Sequence, residues 1–164
     1  MPTNLDQFEQ LLVASRGKVH GYLYRMGVPL MELEDLVQEV MFRAYRGREG
    51  FDTSRAFLPW LFTIARNERA RFYSRLQAKH EFGRPSVEEE ESPENLVENL
   101  IRKESHQEVR SLVEQLQPQQ KEALILKHFS NLTFKEVAHI LNLPESTVKS
   151  HVYQALKALT RSLL

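Results

Sequence analysis

The stretch TFKEVAHILNLPESTVKSHVYQALKALTRSLL, residues 133–164, decides the fold. Thr133 followed by Glu136 reads as a capping box, in which hydroxyl and carboxylate each satisfy a backbone N–H that a helix start leaves without a partner. The helix it opens buries Val137, Ala138, Ile140 and Leu141 and breaks at Asn142 to Pro144. A second helix then runs to the end of the chain. Its apolar residues Val148, Val152, Ala155, Leu156, Leu159 and Leu163 fall at i, i+4, i+7, i+8, i+11 and i+15 and form one stripe. The opposite face carries Ser146, Ser150, Tyr153, Gln154, Lys157 and Arg161, with Lys149 at its border and no acidic residue. Such a face suits a DNA major groove, where Lys, Gln and Ser reach base edges and cations neutralise phosphates. The competing reading is a generic helical hairpin with a solvated face.

Working outward, nearly every other segment has helical period and none alternates as a strand, so the fold class is all-α. Asn4 opens a first helix in which Leu5, Phe8, Leu12, Val19, Tyr22, Leu23 and Met26 share a face, until Gly27 and Pro29 stop it. A second helix covers about 31–47, and a third, aromatic and Arg-rich, about 55–78. The segment GRPSVEEEESPEN, 83–95, offers almost nothing to bury and reads as a flexible acidic linker. Beyond Pro93 a helix to about Leu116, a break at QPQQ and a helix through KEALILKHF lead into the C-terminal pair. The expected division is two small helical domains, 1–82 and 96–164, joined by 83–95.

The formal charge of zero conceals segregation. Residues 1–42 hold three basic and six acidic side chains, 43–84 ten and four, 85–108 two and eight, and 109–164 seven and four. Two basic blocks with an acidic spacer suggest two polyanion-facing surfaces, or helix faces whose charges merely cluster.

On the second helix Leu33, Leu36, Val37, Val40, Met41 and Ala44 make the inward stripe. Phe42 points the other way, among Asp35, Gln38, Glu39 and Arg46. It either anchors a partner protein or is covered by another helix of its own domain. On the third helix Phe57, Leu61, Ile64, Ala65, Phe72 and Leu76 pack inward, while Trp60, Asn67 and Arg71 share a neighbouring face with Arg66, Arg69 and Arg75 around it. Aromatic, amide and guanidinium groups suit unstacked bases; Trp60 equally suits a core.

Other chemistries find little support. The chain has no Cys, and its six His never fall in HxxxH or HExxH spacing, so no metal site or cofactor is expected. A nuclease would need clustered carboxylates or a positioned His base, and the glutamate run lies in the spacer, so the chain is read as no enzyme. No apolar run approaches the roughly 18 to 20 residues that cross a bilayer, and the N-terminus lacks signal-peptide regions, which makes the cytoplasm the expected location.

Three motifs in order, DLVQEVMFRAYR (35–46), FLPWLFTIARNERARFYSR (57–75) and LQPQQKEALILKHFSNLTFKEVAHILNLPESTVKSHVYQALKAL (116–159), resemble the extracytoplasmic-function (ECF) sigma factors, which keep regions 2 and 4 of the sigma family. The resemblance implies a transcription initiation factor that binds core RNA polymerase, through its beta and beta-prime subunits, and promoter DNA, under an anti-sigma factor. By it, Asp35, Gln38, Glu39 and Phe42 meet the clamp helices of the largest polymerase subunit. Phe51, Asp52, Ser54, Trp60, Arg66, Asn67, Arg71 and Arg75 form the minus-10 site, where the 51–54 loop with Asn67 and Arg71 melts DNA and holds a flipped base. Ser146, Lys149, Ser150, His151, Tyr153, Gln154, Lys157 and Arg161 form the minus-35 site.

Many relatives carry Asn or Asp where this chain has Arg71, and Gly where it has Ser146, a residue that can still cap the helix or touch a phosphate. The chain ends directly after the recognition helix, so no C-terminal sensory extension is expected. The C-terminal motif also resembles the LuxR-type output domain. A free-standing helix-turn-helix regulator is thus the alternative, although it leaves Phe42 and the Arg-rich helix unexplained.

Overall fold

A computed structural model of the chain describes residues 4–81 and 111–163. Among the described residues the chain is helical, without a strand: α1 is Asn4–Arg25, α2 Leu30–Arg46, α3 Phe57–Glu81, α4 Pro118–Leu124, α5 Phe134–Leu141 and α6 Glu145–Leu163. The linker read at 83–95, most of the helix read to Leu116, and the side chains of Leu5 and Leu163 lie outside the described residues.

Local chemistry sets the breaks. After α1, Gly27 takes φ +93, a backbone that only glycine enters cheaply, and the amides of Met26 and Val28 return to Tyr22 and Leu23 carbonyls to close the helix end. At QPQQ the break is narrower than its composition suggests. Pro118 occupies the first turn of α4, where the N–H it lacks would have had no partner. The last turn of that helix, Ile125–Phe129, widens to π geometry before Ser130.

α1, α2 and α3 pack on one another, and α4 and α5 pack on α6. The two groups are not separate, because α5 lies against α3 and the π turn against α1. Their buried side chains form one contiguous apolar cluster, from Phe8 and Val19 through Leu61 and Phe62 to Ile125, Val137 and Val152. Two residues depart from the expected stripes. Phe62, outside the inward set read for α3, is fully buried, edge-on to Tyr22 at 5.4 Å, since α3 is covered on two sides. Leu156, at the margin of the α6 stripe, stays 37% exposed while Val148, Val152 and Ala155 are buried.

Candidate polymerase and promoter surfaces

The helix-turn-helix is built as its caps require. Thr133 Oγ1 accepts from the Glu136 amide at 3.1 Å and Glu136 Oε1 from the Thr133 amide at 3.0 Å. Asn142 ends α5 in the left-handed region at φ 53, a conformation its short polar side chain tolerates, and Pro144 starts the next turn by accepting from Thr147 and Val148. This fixes the angle between α5 and α6. Thr133→Ala, which removes half of the box, is expected to cost about 1 kcal/mol in a thermal melt without altering the helix content.

The outer face of α6 is open. Ser146, Lys149, Ser150, Tyr153, Gln154, Lys157 and Arg161 are all exposed, Tyr153 at 61%, whereas His151 is only half-exposed and its Nδ1 is buried without a partner. Phe134 of α5 underlies this face, with its ring 4.8 Å from Lys127 Nζ, 5.6 Å from Lys149 Nζ and 6.4 Å from the Tyr153 ring. The cations are thereby held near one another over an aromatic surface. Gln154 accepts from the Gln120 side chain at 2.9 Å.

On α2, Phe42 is 54% exposed, so the reading in which another helix covers it does not hold. Asp35 and Gln38 are exposed along the same ridge, Glu39 is half-buried beside it, and Arg46 stacks 5.5 Å over the Phe42 ring. An exposed aromatic beside a guanidinium and carboxylates has the chemistry of a protein-binding anchor.

The Arg-rich face of α3 is split three ways. Phe51 and Trp60 join Phe8 and Phe57 in an aromatic cluster, with the Phe51 and Trp60 centroids 5.1 Å apart. The loop after Phe51 is tied by Asp52, whose Oδ1 accepts from the Ser54 hydroxyl at 2.6 Å and amide at 2.9 Å. Those bonds hold the Asp52 carboxyl below its usual range. Asn67, Arg71 and Arg75 are exposed. Arg66 is not free: its Nε lies 2.8 Å from Oε1 of Glu122 on α4, which also meets Arg69 Nη2 at 3.3 Å and the Tyr22 hydroxyl at 2.8 Å.

Sequence reasoning singled out neither Glu122 nor Glu68, and both are buried carboxylates. Burial, with Glu122 beside it, pushes the Tyr22 hydroxyl far above the ordinary phenol range, so it remains a donor to Glu122. A second clasp contact places Arg25 4.7 Å over the Phe129 ring. The fit has one loose point, Arg69 Nε, which is buried without a hydrogen-bond partner. Among the described residues there is no group of three His, Cys, Asp or Glu placed to hold a metal, and no helix is long and apolar enough to cross a membrane.

Family models match both halves: sigma-70 region 2 over residues 11–79 and sigma-70 region 4 over 106–159. The region 2 match takes in the half that a stand-alone LuxR-type regulator left unexplained, and that alternative is set aside. The chain is 28% identical to the RNA polymerase sigma-H factor of Pseudomonas aeruginosa, over 95% of this chain and 86% of that one. It is also 28% identical to the ECF RNA polymerase sigma factor SigW of Bacillus subtilis, over 96% and 89%. In fold it resembles the sigma factor RpoE of Bartonella quintana, solved in complex with the anti-sigma factor NepR, with a TM-score of 0.72, 23% identity and coverage of 96% of each chain. The chain belongs to the sigma-70 family as an ECF sigma factor with regions 2 and 4, an alternative sigma factor that binds core RNA polymerase and promoter DNA and directs the initiation of transcription.

Proposed function

We propose a division of labour between the two helical halves. Residues 1–82 act as region 2: the α2 ridge of Asp35, Gln38, Glu39 and Phe42 docks on the polymerase clamp, and Asn67, Arg71 and Arg75 with the Asp52–Ser54 loop engage the minus-10 element. Residues 96–164 act as region 4, with the cationic outer face of α6 reading the minus-35 element in the major groove, and 83–95 joins them. Phe51 and Trp60 support the minus-10 loop through their aromatic cluster. The observation that carries this reading is the exposure of two chemically different faces, the Phe42 ridge and the cationic α6 face, each on a helix fixed by a buried opposite side.

The clasped arrangement is a resting form. Elements named minus-10 and minus-35 lie about 25 base pairs apart, roughly 85 Å at 3.4 Å per pair. A 25-residue helix such as α3 is only about 38 Å long, and a linker of 13 residues reaches at most about 45 Å. Halves in direct contact cannot occupy both elements. Promoter binding therefore separates them, and a protein that holds them together keeps the factor off DNA. An anti-sigma factor is such a partner, and the sigma factor RpoE of Bartonella quintana has been solved in complex with one, NepR. In this reading the protein acts as a regulator and not as an enzyme, and it works in the bacterial cytoplasm, where polymerase is found. The test is run-off transcription with core polymerase on genomic promoters. Specific initiation only in its presence supports the reading, and stable duplex binding as a dimer with no polymerase contact overturns it.

A further inference from the structure

Four charged side chains form an unbroken chain across region 2. Arg43 of α2 places Nε 3.0 Å from Glu39 Oε1 and 2.7 Å from Glu68 Oε1, and Arg71 Nη1 reaches the same Glu68 oxygen at 3.1 Å. The order is acid, base, acid, base. Its ends, Glu39 and Arg71, have 42% and 58% exposed side chains, while Glu68 in the middle has 3%. Glu68 occupies a position that periodicity assigns to the core, one turn from Ala65 and one turn before Phe72. A carboxylate there is costly unless cations satisfy it, and Arg43 and Arg71 are the two that do.

Two consequences follow from the geometry. First, the guanidinium of Arg71, a long side chain with many rotamers, is held at one end by a buried fixed charge, so its remaining N–H groups present a defined fork to solvent. Second, Arg43 Nε is shared between Glu39 and Glu68. Whatever draws Glu39 away leaves Arg43 wholly to Glu68, which weakens the hold of Glu68 on Arg71.

We propose that Glu68 is a positioning residue that sets the base preference of Arg71 and couples the polymerase ridge to the minus-10 face. The proposal rests on the reading of Glu39 as a polymerase contact and Arg71 as a DNA contact given above. A cation of polymerase that pairs with Glu39 leaves Arg43 to Glu68 and loosens, without breaking, the hold of Glu68 on Arg71, and by linkage DNA that engages the Arg71 fork tightens the pull of Arg43 on Glu68 and frees Glu39 for polymerase. Glu68 itself touches neither partner.

The experiment is run-off transcription by holoenzyme assembled from core polymerase and the full chain, on a promoter pool randomised through the minus-10 element. The proteins compared are the unsubstituted chain, Glu68→Gln, Arg71→Ala, Glu39→Gln and the Glu39→Gln/Arg71→Ala pair. Glu68→Gln keeps the size of the side chain and removes its charge. It is expected to change base preference at the same promoter position as Arg71→Ala, by about three- to tenfold in relative use, with minus-35 preference unchanged. The Glu39 and Arg71 substitutions are expected to be non-additive by a similar factor although the residues lie on different helices. A uniform fall in transcription for Glu68→Gln with every base preference intact, or strict additivity in the pair, would overturn the proposal. Should Glu68→Gln fail to fold by circular dichroism, Arg43→Lys carries the same test: it is expected to shift the same promoter position, and an unchanged profile counts against the coupling. If Arg71→Ala leaves all minus-10 preferences untouched, the proposal fails together with the role of Arg71, while initiation by the unsubstituted chain leaves the sigma-factor assignment standing.

Discussion

Glu122→Lys is expected to open the clasp between the two halves. Glu122 has an 8% exposed side chain, accepts from the Tyr22 hydroxyl and Arg66 and is ion-paired with Arg69, so one carboxylate neutralises two guanidinia and satisfies one buried phenol. A lysine in its place sets a third cation against the two arginines and removes the acceptor of Tyr22. Removing one member of a fully buried pair costs about 3–5 kcal/mol. The Arg66 side chain is 40% exposed, which screens part of the loss, and about 2–3 kcal/mol is the better figure. That moves the closed-to-open ratio roughly 30- to 150-fold. Small-angle scattering reads it directly: a compact chain of this length has a radius of gyration of about 15 Å, and the substituted protein is expected to be clearly larger. Arg66 and Arg69 become available to phosphates at the same time, so binding of minus-10 single strands by the free protein should strengthen and grow more salt-dependent. Unchanged size and unchanged DNA binding would show that the apolar contact of α5 with α3, not Glu122, holds the halves together.

Phe42→Ala carries the second large effect. The ring is 54% exposed in the free protein with Arg46 over it, so its removal hardly touches the fold. A central aromatic anchor in a protein interface is worth at least about 2 kcal/mol, and core-polymerase affinity should fall by roughly 30-fold or more. Binding of minus-35 duplex by a region 4 fragment with Phe42 absent altogether serves as the reference, and full-length Phe42→Ala should match the unsubstituted chain in that duplex assay. A parallel fall in both assays would mean that the two surfaces are not independent.

The helices were legible because their causes are local. The Thr133–Glu136 box, the Gly27 stop, the Asn142 turn and the stripe of α2 depend on neighbours within one or two turns, and the structure has each of them, while of the α6 stripe it buries Val148, Val152 and Ala155 and leaves Leu156 exposed. Phe42 was legible for the same reason, since one helix suffices to tell inward from outward. The clasp was not, because Tyr22 and Glu122 lie 100 residues apart and neither pattern points at the other. That same contact turns Phe62 inward and ties Arg66 to Glu122. Glu68 left a trace that was readable: a carboxylate on the apolar stripe of α3, one turn before Phe72, must find cations or disrupt the packing. Trp60 and Phe51 split from the basic face for a different reason, since their partner Phe8 comes from α1 and supplies the aromatic cluster that periodicity within α3 alone does not show.

The most direct test of the account is run-off transcription with purified core polymerase on a pool of genomic promoters, with the chain added or withheld. Specific starts are expected only when the chain is present, at promoters that share two elements about 25 base pairs apart, with loss of those starts on Phe42→Ala. Starts that do not depend on the chain, or starts that survive Phe42→Ala at full strength, would contradict it.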